Sequence, residues 1–333
     1  MPRLIDRFGR THDYLRISVT DRCNLRCVYC MPEEGLEFLP GDKLMSAEEI
    51  AAIVRVGAKL GIRKIRITGG EPLVRKDIAD IVAGVAAVPG IEDVAMTTNG
   101  LLLAAKAEAL RRAGLTRVNI SLDTLDPHRF RLISRRGELR KVLEGIEAAA
   151  EAGFSPIKLN CVLLRGMNED EIEAFLRMSY ERPLHVRFIE YMPIGHDDEG
   201  WRNRYLPLEK VRETASRMPW PAVPIEDVPG SGPSENWRFA GGAGSFGLIH
   251  PVSDRFCDNC NRLRLTADGY LKPCLYWVDE LYVRPHAGNE AELERMFFRA
   301  LDLKPKNHEM AEKWAGEAQT HVPTARRMSQ IGG

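Results

Sequence analysis

The chain has 333 residues, 44% of them hydrophobic and 28% charged, a soluble globular composition with length for a sizeable core. Its 47 basic side chains equal its 47 acidic ones, so no overall field favours nucleic acid or a membrane surface, and any anion site must be local. No h-region follows Met1, no stretch approaches about 18 uninterrupted apolar residues, and seven cysteines, six of them in threes, fit reduced thiols, so the expected address is the cytoplasm.

Residues 14 to about 216 alternate short β-rich runs with amphipathic stretches, the pattern of a parallel βα-repeat protein. The expected strands are 14–20, 64–68, 92–97, 117–122, 156–163 and 185–191. Ser46-Ala47-Glu48-Glu49 reads as a capping box that opens a helix. Its apolar positions are Ile50, Ile53, Val54 and Leu60, and Gly61 stops it. Further helices are expected at 77–88, 104–113, 138–152 and 168–179. From Met218 to Gly247 the composition turns to Pro, Gly and Ser, which reads as a linker or irregular loop. The chain is therefore divided into a barrel over 1–217 and a C-terminal domain over 218–333.

The strands alternate rather than run apolar throughout, as the strands of a fully packed barrel would. In the first, Leu15, Ile17 and Val19 share one face and Arg16, Ser18 and Thr20 the other. Lys64, Arg66 and Thr68 share a face in the second, and Thr97 and Asn99 in the third. So do Asn119, Ser121 and Asp123, and Lys158 and Asn160. A period of two sends each polar set to one side of the sheet. With helices over the apolar side, the lumen holds cations, hydroxyls and amides, a lining suited to a polar anion. Cys161 has the parity of Ile157 and Leu159 and is expected in the core. The histidines, among them His12, His128 and His185, form no constellation, and no Ser–His–Asp triad is arguable.

Six cysteines form two triplets: Cys23-x3-Cys27-x2-Cys30 and Cys257-x2-Cys260-x13-Cys274. A closed zinc or iron–sulfur site takes four protein ligands. Three thiolates leave one iron of a [4Fe–4S] cubane free, so two triplets suggest two open clusters. The first triplet follows the first strand, at the end where barrel sites sit. For the second, a zinc site completed by His250 or an aspartate is a rival.

The C-x3-C-x2-C run with Tyr29 before its last cysteine resembles the radical S-adenosylmethionine (SAM) superfamily. Thr68-Gly69-Gly70-Glu71-Pro72 looks like its GGEP motif, which holds the SAM amino group. With Cys260-Asn261-Arg262-Leu263-Arg264 and the Gly332-Gly333 end, the chain resembles the GTP 3′,8-cyclase family of molybdenum-cofactor biosynthesis. The resemblance implies an incomplete (β/α)6 TIM-type barrel, the radical SAM core, with a C-terminal segment capping its mouth. It implies SAM and two [4Fe–4S] clusters as cofactors, one held by Cys23, Cys27 and Cys30, the other by Cys257, Cys260 and Cys274. Tyr29, Gly70, Ser121 and Met192 would contact SAM. Arg16, Arg66, Thr97, Lys158, Arg262, Leu263 and Arg264 would contact GTP, and Gly332 and Gly333 would enter the active site. No protein acid or base is implied, because the radical comes from SAM. The reaction would abstract hydrogen from the ribose C3′ of GTP and join C3′ to C8 of guanine. A flavodoxin- or ferredoxin-like reductant, a cyclic pyranopterin monophosphate synthase taking the product, and a monomer or homodimer complete the expectation.

The residues also support a local argument for an anion. Arg16, Arg66 and Lys158 stand on the lumen face of different strands, and Arg262 and Arg264 lie two apart beside the second triplet. Four or five charge-assisted hydrogen bonds at about 1.5–3 kcal/mol each suffice for micromolar binding after the entropy of association. No Walker A motif is present, so the phosphates are not held by a P-loop. A peptide-modifying radical SAM enzyme and a zinc-stabilised binding module are the alternative readings.

Overall fold

The computed structural model describes residues 3–195, 199–226, 228–230, 232–254, 256–310 and 322–332. Six parallel strands form its centre: β1 (Tyr14–Ser18), β2 (Lys64–Thr68), β3 (Asp93–Thr98), β4 (Arg117–Ser121), β5 (Ile157–Leu163) and β6 (Leu184–Glu190). They are joined by α1 (Ala47–Lys59), α2 (Ile78–Ala86), α3 (Ala107–Arg112), α4 (Pro127–Ser134) with α5 (Leu139–Glu151), and α6 (Ile172–Glu181). The expected strands and helices are all present with ends moved by a few residues. The capping box is formed as expected: Ser46 Oγ accepts from Glu49 N, and the Glu49 carboxylate accepts from Ser46 N. Helix α4 was not expected; Asp126 caps it through Arg129 N at 2.6 Å and Pro127 starts it.

Beyond β6 the chain forms α7 (Glu199–Arg204), α8 (Glu209–Ser216) and three strands, β7 (Ala222–Ile225), β8 (Glu235–Phe239) and β9 (Ser245–Ile249). The reading of 218–247 as a linker is therefore corrected. β9 pairs parallel with β6, and β8 and β7 follow antiparallel. Pro224 is tolerated because β7 is an edge strand. Gly244 lies so close to the Leu184 and Arg182 carbonyls that a Cβ would overlap them. In this segment glycine marks tight sheet packing rather than a flexible link.

The remaining elements are β10 (Arg262–Leu265), β11 (Tyr270–Lys272), β12 (Leu281–Tyr282) and α9 (Glu290–Asp302). β10 pairs parallel with β1, so the sheet runs β12-β11-β10-β1-β2-β3-β4-β5-β6-β9-β8-β7 and does not close on itself. This is an incomplete (β/α)6 barrel whose two edges are both extended by C-terminal strands.

The alternation sorts as expected. Leu15, Ile17, Ile65, Ile67, Val94, Met96, Val118, Ile120, Leu159, Cys161, Val186 and Phe188 join one apolar core with the helices. Each buried aliphatic side chain contributes roughly 1.5–3 kcal/mol relative to exposure. The opposite face, with Arg16, Arg66, Asn119, Lys158 and Arg187, turns inward. Among the described residues no helix is long and apolar enough to cross a membrane.

Candidate active site

The loop after β1 carries the first triplet, and the loop after β2 packs directly on it. Gly70 N donates to Thr20 O at 2.7 Å and Glu71 N to Arg22 O at 2.8 Å. A Cβ on Gly70 would overlap the backbone of Asp21 and Arg22, so glycine here is a requirement of close approach. Glu71 then ties in the loop after β3, accepting from Leu73 N (3.0 Å), Thr98 Oγ1 (2.7 Å) and Asn99 N (2.6 Å). Burial pushes its carboxyl up to about 7 against the pull of those three donors. Three βα loops are thereby fixed to one another, the first two by backbone hydrogen bonds of Gly70 and Glu71 and the last two by the Glu71 carboxyl.

Cys23, Cys27 and Cys30 line a cavity shared with Tyr29, Gly70, Thr97, Ser121 and Met192. All four expected SAM contacts are thus brought to the first triplet. Tyr29 is held by its hydroxyl, which donates to Asp123 Oδ2 at 2.7 Å. Asp123, whose carboxyl burial pushes up to about 6, also accepts from Val162 N at 2.9 Å. Burial raises the first-triplet thiols, Cys23 to about 11 and Cys30 to about 12. A metal that takes them as thiolates must displace their protons.

Cys257, Cys260 and Cys274 line a second cavity with Met192, Arg262, Arg264 and Lys304. Met192 borders both cavities, so the triplets face one interior. Burial raises Cys257 to about 11. At Cys260 burial acts the same way but is outweighed by Arg262 and Lys304, which bring the thiol down to about 6. His250, the proposed fourth zinc ligand, stands instead 3.8 Å from Glu190 and 3.8 Å from Glu235 and does not line this cavity.

Strand register gathers the cations. Arg16 is opposite both Arg66 on β2 and Arg264 on β10, and Tyr14 is opposite Arg262. Lys158 is opposite Asn119 and His185. Arg16 Nε, Arg66 Nε, Thr97 Oγ1, both Asn119 side-chain polar atoms and Lys158 Nζ are buried without a hydrogen-bond partner. A buried polar atom without a partner costs about 1–3 kcal/mol, and here several converge, which fits a polyanion. Leu263 differs: its side chain is in the apolar core, so only its backbone faces this side. Arg117 and Arg187 were missed, although each has the inward parity of its strand. Arg117 pairs with Asp93, and Arg187 donates to Asn160 Oδ1 at 2.9 and 2.6 Å.

Lys158 makes the site's charge testable. Burial first, then Arg187, Arg117 and Arg66, hold its amine down to about 5. At pH 7 it is neutral, and a phosphate group arriving beside it favours the ammonium form. Binding should therefore take up about one proton at pH 7. Affinity from this group is full below the free value and is lost as pH rises through the higher bound value. Calorimetry of GTP binding in buffers of different ionisation enthalpy reads the uptake. Uptake that persists unchanged in Lys158→Met would exclude this lysine.

Residues 328–332 lie against the first cavity and reach Arg264, which lines the second. Met328–Ile331 forms one helical turn, with Met328 and Ser329 in the first cavity. Arg264 Nη1 donates to Gly332 O, and a Cβ on Gly332 would overlap Thr68 Cγ2. Gly333 lies outside the described residues. Arg326 anchors the tail through Asp268 (3.0 Å) and Glu280 (2.7 Å).

Residues 17–179 match the family model of the radical SAM superfamily, and 184–310 that of Molybdenum Cofactor Synthesis C. Over the whole of both chains, the sequence is 57% identical to a GTP 3′,8-cyclase of Listeria monocytogenes serovar 1/2a and 51% identical to one of Limosilactobacillus fermentum. It is 50% identical to one of Moorella thermoacetica, covering 98% of this chain and 99% of that one. Among solved structures, Streptococcus suis SuiB bound to S-adenosylmethionine aligns with TM-score 0.60 at 14% identity, over 89% of this chain and 69% of that one. Native anSMEcpe with bound AdoMet aligns with TM-score 0.58 at 15% identity, over 90% and 83%. At that identity the likeness concerns the fold alone. The chain belongs to the GTP 3′,8-cyclase family of the radical SAM superfamily.

Proposed function

We propose that this chain is a radical SAM lyase that converts GTP to (8S)-3′,8-cyclo-7,8-dihydroguanosine 5′-triphosphate in molybdenum-cofactor biosynthesis. The observation that carries the reading is the pair of three-thiol cavities, both bordered by Met192, above a lumen where Arg16 Nε, Arg66 Nε and Lys158 Nζ are buried without a hydrogen-bond partner. Three soft donors in each cavity, with no fourth cysteine in either lining, suit a cubane with one open iron. Cys23, Cys27 and Cys30 would hold the cluster that binds SAM and Cys257, Cys260 and Cys274 the second, and the bound group would supply one-electron cleavage of SAM to a radical able to take hydrogen from the ribose C3′.

The protein's own part is placement. Gly70, Ser121, Met192 and the Tyr29 backbone hold SAM against the first triplet, and Asp123 fixes the Tyr29 ring by its hydroxyl. Arg16, Arg66 and Lys158 take the triphosphate, with Thr97 as a further contact. Arg262, Arg264 and the Leu263 backbone set the nucleotide beside Cys257, Cys260 and Cys274, which would hold the second cluster and so offer guanine a metal ligand position. C3′ and C8 then meet within one bound nucleotide, so the bond forms as an intramolecular step with its entropy already spent in binding. Ile331, Gly332 and the apolar residues around Met192 exclude water from the radical's path.

A boundary near 217 separates the barrel from the segment bearing the second cluster. A flavodoxin- or ferredoxin-like donor supplies two electrons in the cytoplasm, one for SAM cleavage and one that, with a proton, quenches the radical left on the base when C3′ joins C8, and a cyclic pyranopterin monophosphate synthase takes the product. The test is anaerobic incubation with GTP, SAM and dithionite. The expected product has the mass of GTP, and deuterium at C3′ of the substrate passes into 5′-deoxyadenosine. Deuterium-free 5′-deoxyadenosine with GTP recovered unchanged would overturn the reading.

A further inference from the structure

The second triplet is held in place by two buried cations that the placement above does not use. Its cysteines come from separate segments: Cys257 and Cys260 from the stretch around the helical turn Phe256–Asn259, and Cys274 from the loop after β11. Buried loop carbonyls need donors, and here the donors are charged side chains. Lys304, just past the end of α9 and 2% exposed, donates from Nζ to Arg262 O at 2.8 Å and to Pro273 O at 2.5 Å. One of these carbonyls lies two residues after Cys260, the other immediately before Cys274.

Arg10 approaches from the other side. Its Nη1 donates to Cys257 O and to Lys306 O, each at 2.8 Å, and its Nη2 donates to Pro305 O at 2.7 Å. Arg10 is itself locked by Asp6, which is fully enclosed in its side chain. Asp6 Oδ2 accepts from Arg10 Nε at 2.6 Å and faces His12 Nε2 at 3.0 Å, while Oδ1 accepts from Phe8 N and Arg10 N. The run 304–306 thus connects the two arms: its lysine grips the Cys260 and Cys274 segments, and its next two carbonyls receive the arginine that grips Cys257.

We propose that Arg10 and Lys304 form a two-cation clasp that positions all three cysteines of the second triplet, with Lys304 setting positive charge against the iron–sulfur cluster they hold. Both are positioning residues, acting on guanine only through that cluster. The proposal rests on the reading of the second triplet as a [4Fe–4S] site. Lys304 also lines the cavity with the three thiols, so its charge stands close to the metal, and nearby charge and hydrogen bonds tune such clusters. A cation there favours the more negative, reduced cluster and raises its potential. A lysine that merely braced carbonyls would hold the loops but leave the potential unmoved once another donor replaced it.

The test reconstitutes the full chain anaerobically with iron and sulfide, as wild type, Lys304→Met, Lys304→Gln and Arg10→Gln. It reads iron per chain, iron loss to a chelator, and the second cluster's midpoint potential by EPR in the Cys27→Ala background, where that cluster stands alone. The first cluster and SAM cleavage should persist in all three variants that keep Cys27. Iron should leave the second site about 10- to 100-fold faster in Lys304→Met and Arg10→Gln. Lys304→Gln, which keeps a donor without the charge, should recover part of the iron retention yet share the lowered potential of Lys304→Met. A second cluster retained at wild-type rate and potential in every variant overturns the clasp and leaves the two-cluster reading intact. A wild-type chain that takes up only one cluster overturns both.

Discussion

In a Cys27→Ala chain reconstituted under anaerobic conditions, SAM cleavage falls to background while about four of the eight irons of two cubanes remain. Cys27 is half-buried, lines a cavity with Tyr29 and Ser121, and has its thiol pushed well up by burial, so a metal is the partner that this position offers a thiolate. The same loss is expected for Cys23 and Cys30, which line the same cavity. Cys260→Ala should behave oppositely. Its irons also fall to about four, but the first cavity is intact, so SAM is still cleaved while GTP is no longer cyclised. The contrast between the two variants matters more than either loss, because a general collapse of the fold would remove both activities together. Iron analysis, 5′-deoxyadenosine release and product mass measure the three quantities separately. One equivalent of zinc with only four irons in the wild-type chain would refute the second cluster, as would a Cys260→Ala enzyme that still forms product.

The barrel was legible because its strands carry a period of two and its helices a period near 3.6, and those periods follow from backbone geometry alone. Arg16, Arg66 and Lys158 could be placed in the lumen for that reason, and the register puts Arg16 beside Arg66 as the alternation required. The same rule applied to β4 and β6 puts Arg117 and Arg187 in the lumen, so their signal was present in the sequence. The strands over 222–249 were hidden for a physical reason. Their glycines and prolines serve close sheet contacts and an edge position, and composition cannot separate that use from a flexible loop. Arg10 and Lys304 were out of reach in another way. Each acts on carbonyls of segments far away along the chain, 247 residues for Arg10 to Cys257, and no local pattern encodes such a contact. The pairing of β10 with β1 is of the same kind: it brings Arg264 beside Arg16, and only the fold reveals it.

A Gly332→Ala substitution should lower product formation by about 10- to 100-fold while leaving iron content and unfolding temperature near wild type. The backbone at Gly332 has φ +71°, where a side chain is strained by about 1–3 kcal/mol, and roughly 1.4 kcal/mol is tenfold in an equilibrium. The added methyl would also overlap Thr68 Cγ2, so the tail cannot keep its position by bearing the strain alone. Its withdrawal releases the Gly332 carbonyl from Arg264 and draws Met328 and Ser329 away from the first cavity. Stability should change little, because the chain end contributes one short turn while Arg326 still pairs with Asp268 and Glu280. SAM cleavage should continue, since the cysteines and the loop around Gly70 are untouched. The lost quantity is coupling: 5′-deoxyadenosine accumulates, and less of it carries deuterium from C3′-labelled GTP. Deleting Gly332 and Gly333 should produce the same uncoupling without any clash, which separates the tail's role from local strain. A truncated enzyme that transfers deuterium and forms product at the wild-type rate would show that the tail has no part in the reaction.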